Sequence, residues 1–261
     1  EIAPSDWSSD VCSSDLLGDA QFAREIYADI RDQAIRAAER WYNVEARVRL
    51  STAVERSTAG TPLLDVTVEW EYTTVPSGSE RRFACVSDRA AYNALVMDTP
   101  ITTTWLMTPR PGMDAASRRC FELLSFTVDG EEMPIRRTEH EGGQTYIVDA
   151  SVAAAAGNPV RIRHVYRTVT PAWGHRIYVE LPQPARGFSF DLDYTNTSID
   201  SVSVTDMAAN GRAAQIVPSP KRAAGRSLSL RAPGWLLSKS GFAIVWTLED
   251  ELPKSKRSEA A

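Results

Sequence analysis

The stretch from Arg161 to Arg176, RIRHVYRTVTPAWGHR, concentrates the residue types most able to hold a ligand. On an extended strand Arg161, Arg163, Val165 and Arg167 share one face, and Ile162, His164 and Tyr166 share the other. Arg176 starts a second extended run, beyond a turn that carries Trp173 and His175. If the two runs pair, Arg161, Arg163, Arg167 and Arg176 converge with Trp173 and His175. Guanidinium forks fit phosphate and carboxylate oxygens, and an indole offers a stacking face. The set is therefore the candidate site for an anionic small molecule or nucleotide. The plainer alternative is a wet sheet face whose arginines pair with neighbouring carboxylates.

Other chemistry is thinner. His140, His164 and His175 have no serine or cysteine nucleophile at a recognisable spacing, and no GxSxG elbow occurs. They read as structural or surface histidines. Asp191, Asp193, Asp200 and Asp206 lie close in sequence, but none follows a calcium-loop spacing, and 191 and 193 fit outward alternation on a strand. No CxxC or HExxH spacing is present, so no metal and no cofactor is expected. Three cysteines, Cys12, Cys85 and Cys120, do not make a disulfide framework. They suit a reduced, cytoplasmic interior in which Cys85 and Cys120 pack as small apolar groups.

These residues need a scaffold, and the bulk numbers allow one. The chain has 261 residues, 43% of them apolar and 24% charged, with a net charge of −5. That is an ordinary globular composition and lacks the basic excess of a double-stranded nucleic-acid binder. No apolar run approaches the ~18 residues of a membrane helix.

From Leu17 to Tyr42 the pattern is helical, with Phe22, Ile26, Ile30, Ala34, Ala37 and Trp41 in one stripe. From position 43 to 248 the period is two. Val44, Ala46, Val48 and Leu50 alternate with charged residues, as do Val66, Val68, Trp70 and Tyr72. Ser87-Asp88 predicts a helix cap before a short helix ending near Met97. Phe121–Val128 is a strand closed by Asp129-Gly130. Arg136–His140 and Thr145–Val148 flank a glycine hairpin. Phe188, Phe190, Leu192 and Tyr194 form one inward face, and Phe242, Ile244, Trp246 and Leu248 another. Trp235, after a Pro-Gly turn, is either a core plug or an exposed contact, and its residue type favours the core. The expected fold is mainly β: an antiparallel β-sandwich, or two stacked lobes divided near 109–112, preceded by one amphipathic helix. Residues 249–261 read as a polar tail.

Residues 5–16, SDWSSDVCSSDL, resemble the conceptual translation of a short-read sequencing adapter. They carry no hydrophobic period, and residues 1–16 are expected to be a disordered artefact. The natural chain is then expected to continue upstream of Leu17, where a missing domain or a membrane anchor would lie. The functional expectation is a non-catalytic ligand-binding or sensing module within a larger protein. The alternatives are a structural or protein-interaction β-sandwich and a hydrolase with loop-borne catalytic residues. Oligomeric state is not legible.

Overall fold

The structure, a computed structural model, describes residues 20–53, 62–98, 102–207, 214–220 and 225–253. The expectations for residues 1–16 and for the turn around Gly60 lie outside them. The chain divides into two units, Glu1–Ala38 and Glu39–Ala261. The first contains α1 (Ala20–Arg36), on which Phe22, Ile26 and Ile30 are exposed. The helix is shorter than its periodicity suggested. The helix stops at Arg36; Trp41 and Tyr42 instead pair as a strand with Ala185 and Arg186, and Asn43 follows with a positive φ of 53° that no α-helix admits. No helix among the described residues is long and apolar enough to cross a membrane.

The second unit runs β1 (Trp41–Thr52), β2 (Leu63–Thr74), β3 (Glu80–Val86), α2 (Arg89–Asp98) and β4 (Thr102–Leu106). Then come β5 (Phe121–Val128), β6 (Glu131–Glu132), β7 (Ile135–His140), β8 (Gly143–Asp149) and α3 (Ser151–Ala156). The chain continues through β9 (Val160–Pro171), a 3-10 turn at Ala172–Gly174, β10 (Arg176–Glu180) and β11 (Ala185–Asn196). It ends with β12 (Ile199–Asp206), β13 (Gln215–Pro218), β14 (Ser227–Leu236), β15 (Gly241–Leu248) and a final 3-10 turn.

These strands form three sheets. The largest has eight strands in the order β13-β14-β11-β1-β2-β9-β5-β6. Two smaller sheets, β4-β3-β8-β7 and β10-β15-β12, cover one of its faces. Phe83 of β3 lies edge-on to Phe126 of β5 at 6.1 Å, and Phe242 of β15 stacks on Phe188 of β11 at 5.7 Å. The alternation read from the sequence is what buries this interior. Phe188, Phe190, Leu192 and Tyr194 are buried on β11, while Ser189, Asp191 and Asp193 face out. Each large apolar side chain so buried contributes roughly 1.5–3 kcal/mol. The arrangement is the expected sandwich, though mixed: β1 pairs with β11 in parallel, as does β3 with β4.

Local predictions met their residues. Asp88 Oδ1 accepts from the Ala91 backbone N–H at 2.8 Å, capping α2. The β7–β8 hairpin turns at Glu141-Gly142, with Gly142 at φ 69°. Close strand contact also leaves no room at Gly241, where an added Cβ would sit 2.2 Å from the Val179 carbonyl oxygen. Gly241→Ala is expected to cost about 1–3 kcal/mol by overpacking, read as a lower Tm and denaturation midpoint.

Candidate functional site

The strands carrying the predicted site do not pair with each other. β9 lies between β2 and β5, whereas β10 pairs with β15 in another sheet. The turn at Ala172–Gly174 and left-handed His175 (φ 54°) separate the two strands. Arg161, Arg163 and Arg167 therefore share the outer face of the large sheet. Trp173, His175 and Arg176 lie at the start of β10.

On the outer face the arginines are matched by acids. Arg161 Nε donates to Glu71 at 2.6 Å, Arg163 Nε to Glu69 at 3.0 Å, and Arg167 Nη2 meets Glu122 at 2.7 Å. Arg47 bridges Glu45 and Glu69, Arg49 faces Asp193, and Arg231 faces Asp191. The hydrogen bond from Arg163 holds the Glu69 carboxyl below its ordinary range, against the opposing effect of partial burial. Such half-exposed pairs contribute ~0–1 kcal/mol each. At β10, Arg110 lies 4.6 Å above the Trp173 ring, His175 Nε2 is 3.1 Å from Glu251, and Arg176 sits 5.7 Å from the Tyr178 ring.

Arg186 differs from these outer-face arginines. It is exposed on β11 and, among the described residues, has no carboxylate partner. Strand register places it between two aromatics, with Tyr42 opposite on β1 and Trp235 opposite on β14. The rings meet edge to face at 5.5 Å. Trp235 is thus 43% exposed, not the core residue its type predicted. The reason is backbone. The register shifts beside Tyr42 and beside Arg186, and Asn43, Gly187 and Gly234 take positive φ of 53°, 75° and 89° on three adjacent strands. Glycine, and asparagine among the others, tolerates that region, and bulges there re-aim side chains.

The same row continues the other way. Tyr42 is opposite Thr73 on β2, and Thr73 opposite Arg161 on β9. Beside it runs a groove of about 270 Å³ lined by Asn43, Glu45, Glu71, Tyr72, Thr73 and Arg161. Of the predicted residues, Arg161 alone borders this feature. Tyr42, Arg186 and Trp235 were missed, although Arg186-Gly187 and Pro233-Gly234 were legible as places where an extended chain must kink.

On the opposite, covered face lies an ionic cluster the sequence reading also missed. Glu39 precedes β1 and is buried, as is Arg81 on β3, and Arg81 Nη2 donates to Glu39 Oε1 at 2.7 Å. The same carboxylate accepts from the Ser77 backbone N–H at 2.8 Å, and from Ser77 Oγ, Thr74 Oγ1 and Trp41 Nε1. His164 is buried among Phe83, Phe126, Tyr72 and Tyr166. Burial, reinforced by the charge of Arg81, pushes its pKa down to about 3, so it is neutral at pH 7. Cys85 and Cys120 are buried free thiols, and burial pushes Cys85 up to about 12. No group of three or more His, Cys, Asp or Glu among the described residues could hold a metal ion.

No protein-family model matches the sequence, and no curated protein does. Solved structures resemble it distantly. A protein of Parabacteroides distasonis provisionally named a protease gives a TM-score of 0.45 at 9% identity, over 80% of this chain and 40% of its own. A mutant M1 zinc metallopeptidase of Deinococcus radiodurans gives 0.40 at 11% identity, over 80% and 42%. A protein of Legionella pneumophila provisionally named nutrient-binding gives 0.34 at 10% identity, over 80% and 68%. The chain thus spans about two fifths of the first two structures, and likeness at this level says nothing about activity.

Proposed function

We propose that this chain is a non-catalytic recognition module that takes an anionic ligand bearing a flat ring, such as a nucleotide, at Tyr42, Arg186 and Trp235. The observation that carries the reading is Arg186, an outer-face guanidinium with no carboxylate partner among the described residues, held in register between two exposed aromatics. A guanidinium fork pairs with phosphate oxygens, and an indole or phenol face stacks on a base. The reading keeps the ligand class expected from sequence and moves its site from Arg163 and Arg167, whose charges are already met by Glu69 and Glu122. Arg161 borders the adjoining groove and would set the ligand's far end.

Charge-assisted hydrogen bonds contribute roughly 1.5–3 kcal/mol, so Arg186→Ala is expected to weaken binding about 10- to 100-fold. Calorimetry with AMP, ADP and tripolyphosphate measures this directly. Arg163→Ala combined with Arg167→Ala is expected to bind like the wild type. Undiminished binding by Arg186→Ala would remove the proposal's support. A second reading, a protein-interaction face, draws on the same exposed Tyr42–Trp235 pair. It predicts no response to any of the three anions and a self-association or partner complex sensitive to Trp235→Ala.

A further inference from the structure

A second site lies inside the sandwich, independent of the outer row. Trp41, Tyr72 and His164 of the large sheet, Arg81, Phe83 and Thr103 of the four-stranded sheet, and Pro182 line a small chamber. Arg81 and His164 are 3% and 4% exposed. Nη2 of Arg81 is committed to Glu39, but its Nε and Nη1 are buried without a partner among the described residues, and so is Nδ1 of His164. Leaving such groups unmet is costly, and native structures satisfy most of them with protein or ordered water.

We infer that this chamber is a binding site for one ordered water molecule, held by Arg81 and His164. Size selects the occupant. The chamber offers about 10 Å³, close to the ~10–15 Å³ one water requires. Charge points the same way. The guanidinium is already balanced by Glu39. A chloride would add a net negative charge to a buried site, which low polarity penalises heavily. Water meets groups of both partners: its oxygen accepts from one N–H of Arg81, Nε or Nη1, which point to opposite edges of the guanidinium, and one of its protons goes to Nδ1 of His164. Two bonds lie within the range of about two to four that a buried water makes. This assignment also selects the His164 tautomer, since Nδ1 then accepts and Nε2 carries the proton.

The test uses the unaltered chain, crystallised from a bromide-containing solution, with data near the bromine absorption edge. The expected result is a water-height peak within hydrogen-bonding distance of His164 Nδ1 and of one Arg81 nitrogen, Nε or Nη1, with no anomalous signal. An anomalous peak in the chamber would replace water with an anion, and a well-ordered chamber without a peak would abolish the site. Nitrogen NMR of His164 at pH 7 supplies the second readout. An unprotonated Nδ1 is expected, and a protonated one contradicts the assigned tautomer.

Discussion

Arg81→Met is expected to destabilise the protein by about 3–5 kcal/mol, because it strands a buried carboxylate. Glu39 has no exposed side-chain surface, and Arg81 is its cationic partner at 2.7 Å. The neutral donors around it, Ser77, Thr74 and Trp41, hydrogen-bond the carboxylate without cancelling its charge. The cost therefore measures an orphaned charge more than the worth of the pair. Combining Arg81→Met with Glu39→Gln removes that charge and keeps an acceptor for Ser77. The double variant is expected to recover most of the loss. Urea denaturation of the wild type, both single variants and the double variant checks this. A double variant no more stable than Arg81→Met would mean that the guanidinium acts through packing.

The second large effect is in acid. His164 titrates near 6.5 in an unfolded chain and at about 3 in the fold. Between those values the unfolded chain binds a proton that the folded chain refuses. Stability is thus intact above pH 6.5 and falls as pH drops towards 3. The loss attributable to this residue is about 4 kcal/mol by pH 3.5. His164→Phe removes it. A phenyl ring suits a position stacked on Phe126 and edge-on to Phe83, so the change at pH 7 is expected to be small, under ~1.5 kcal/mol. Glu69 and Asp193, with lowered pKa values, shed stability in acid in both proteins, so the difference between the two curves isolates His164. Parallel curves from pH 7 to 3.5 would show that the ring is protonated or solvated in the fold.

Much of the scaffold was legible because alternation is a local property. Residue by residue, β11 and β15 bury the side chains that period two assigns inward. Phe121–Val128 and the Asp88 cap fall where the sequence places them. Partnership is not local. Alternation tells which face Arg163 occupies and says nothing of whether β9 lies beside β10, and the turn at Ala172–Gly174 sends them to different sheets. The outer row was hidden for the same reason: Tyr42, Arg186 and Trp235 are far apart in sequence and meet through a parallel pairing, an antiparallel one and two register shifts. Periodicity makes Tyr42 the end of a helix, outside its apolar stripe, and residue type favours the core for Trp235. Arg81 was more accessible to reasoning. It shares a strand face with Phe83 and Cys85, so alternation alone predicts a buried cation that needs an acid. Its acid, Glu39, looked like the polar side of a helix until the strand began two residues later.

The most direct test is the proton–nitrogen spectrum of the tryptophan indoles during titration with ADP. The Trp235 resonance, assigned by Trp235→Phe, is expected to move saturably, and Arg186→Ala to abolish the movement. The buried indoles of Trp41, Trp70 and Trp246 are expected to stay still. Movement of Trp173 with Trp235 unaffected would return the ligand to the strand-and-turn segment at 161–176 and contradict the placement on Arg186.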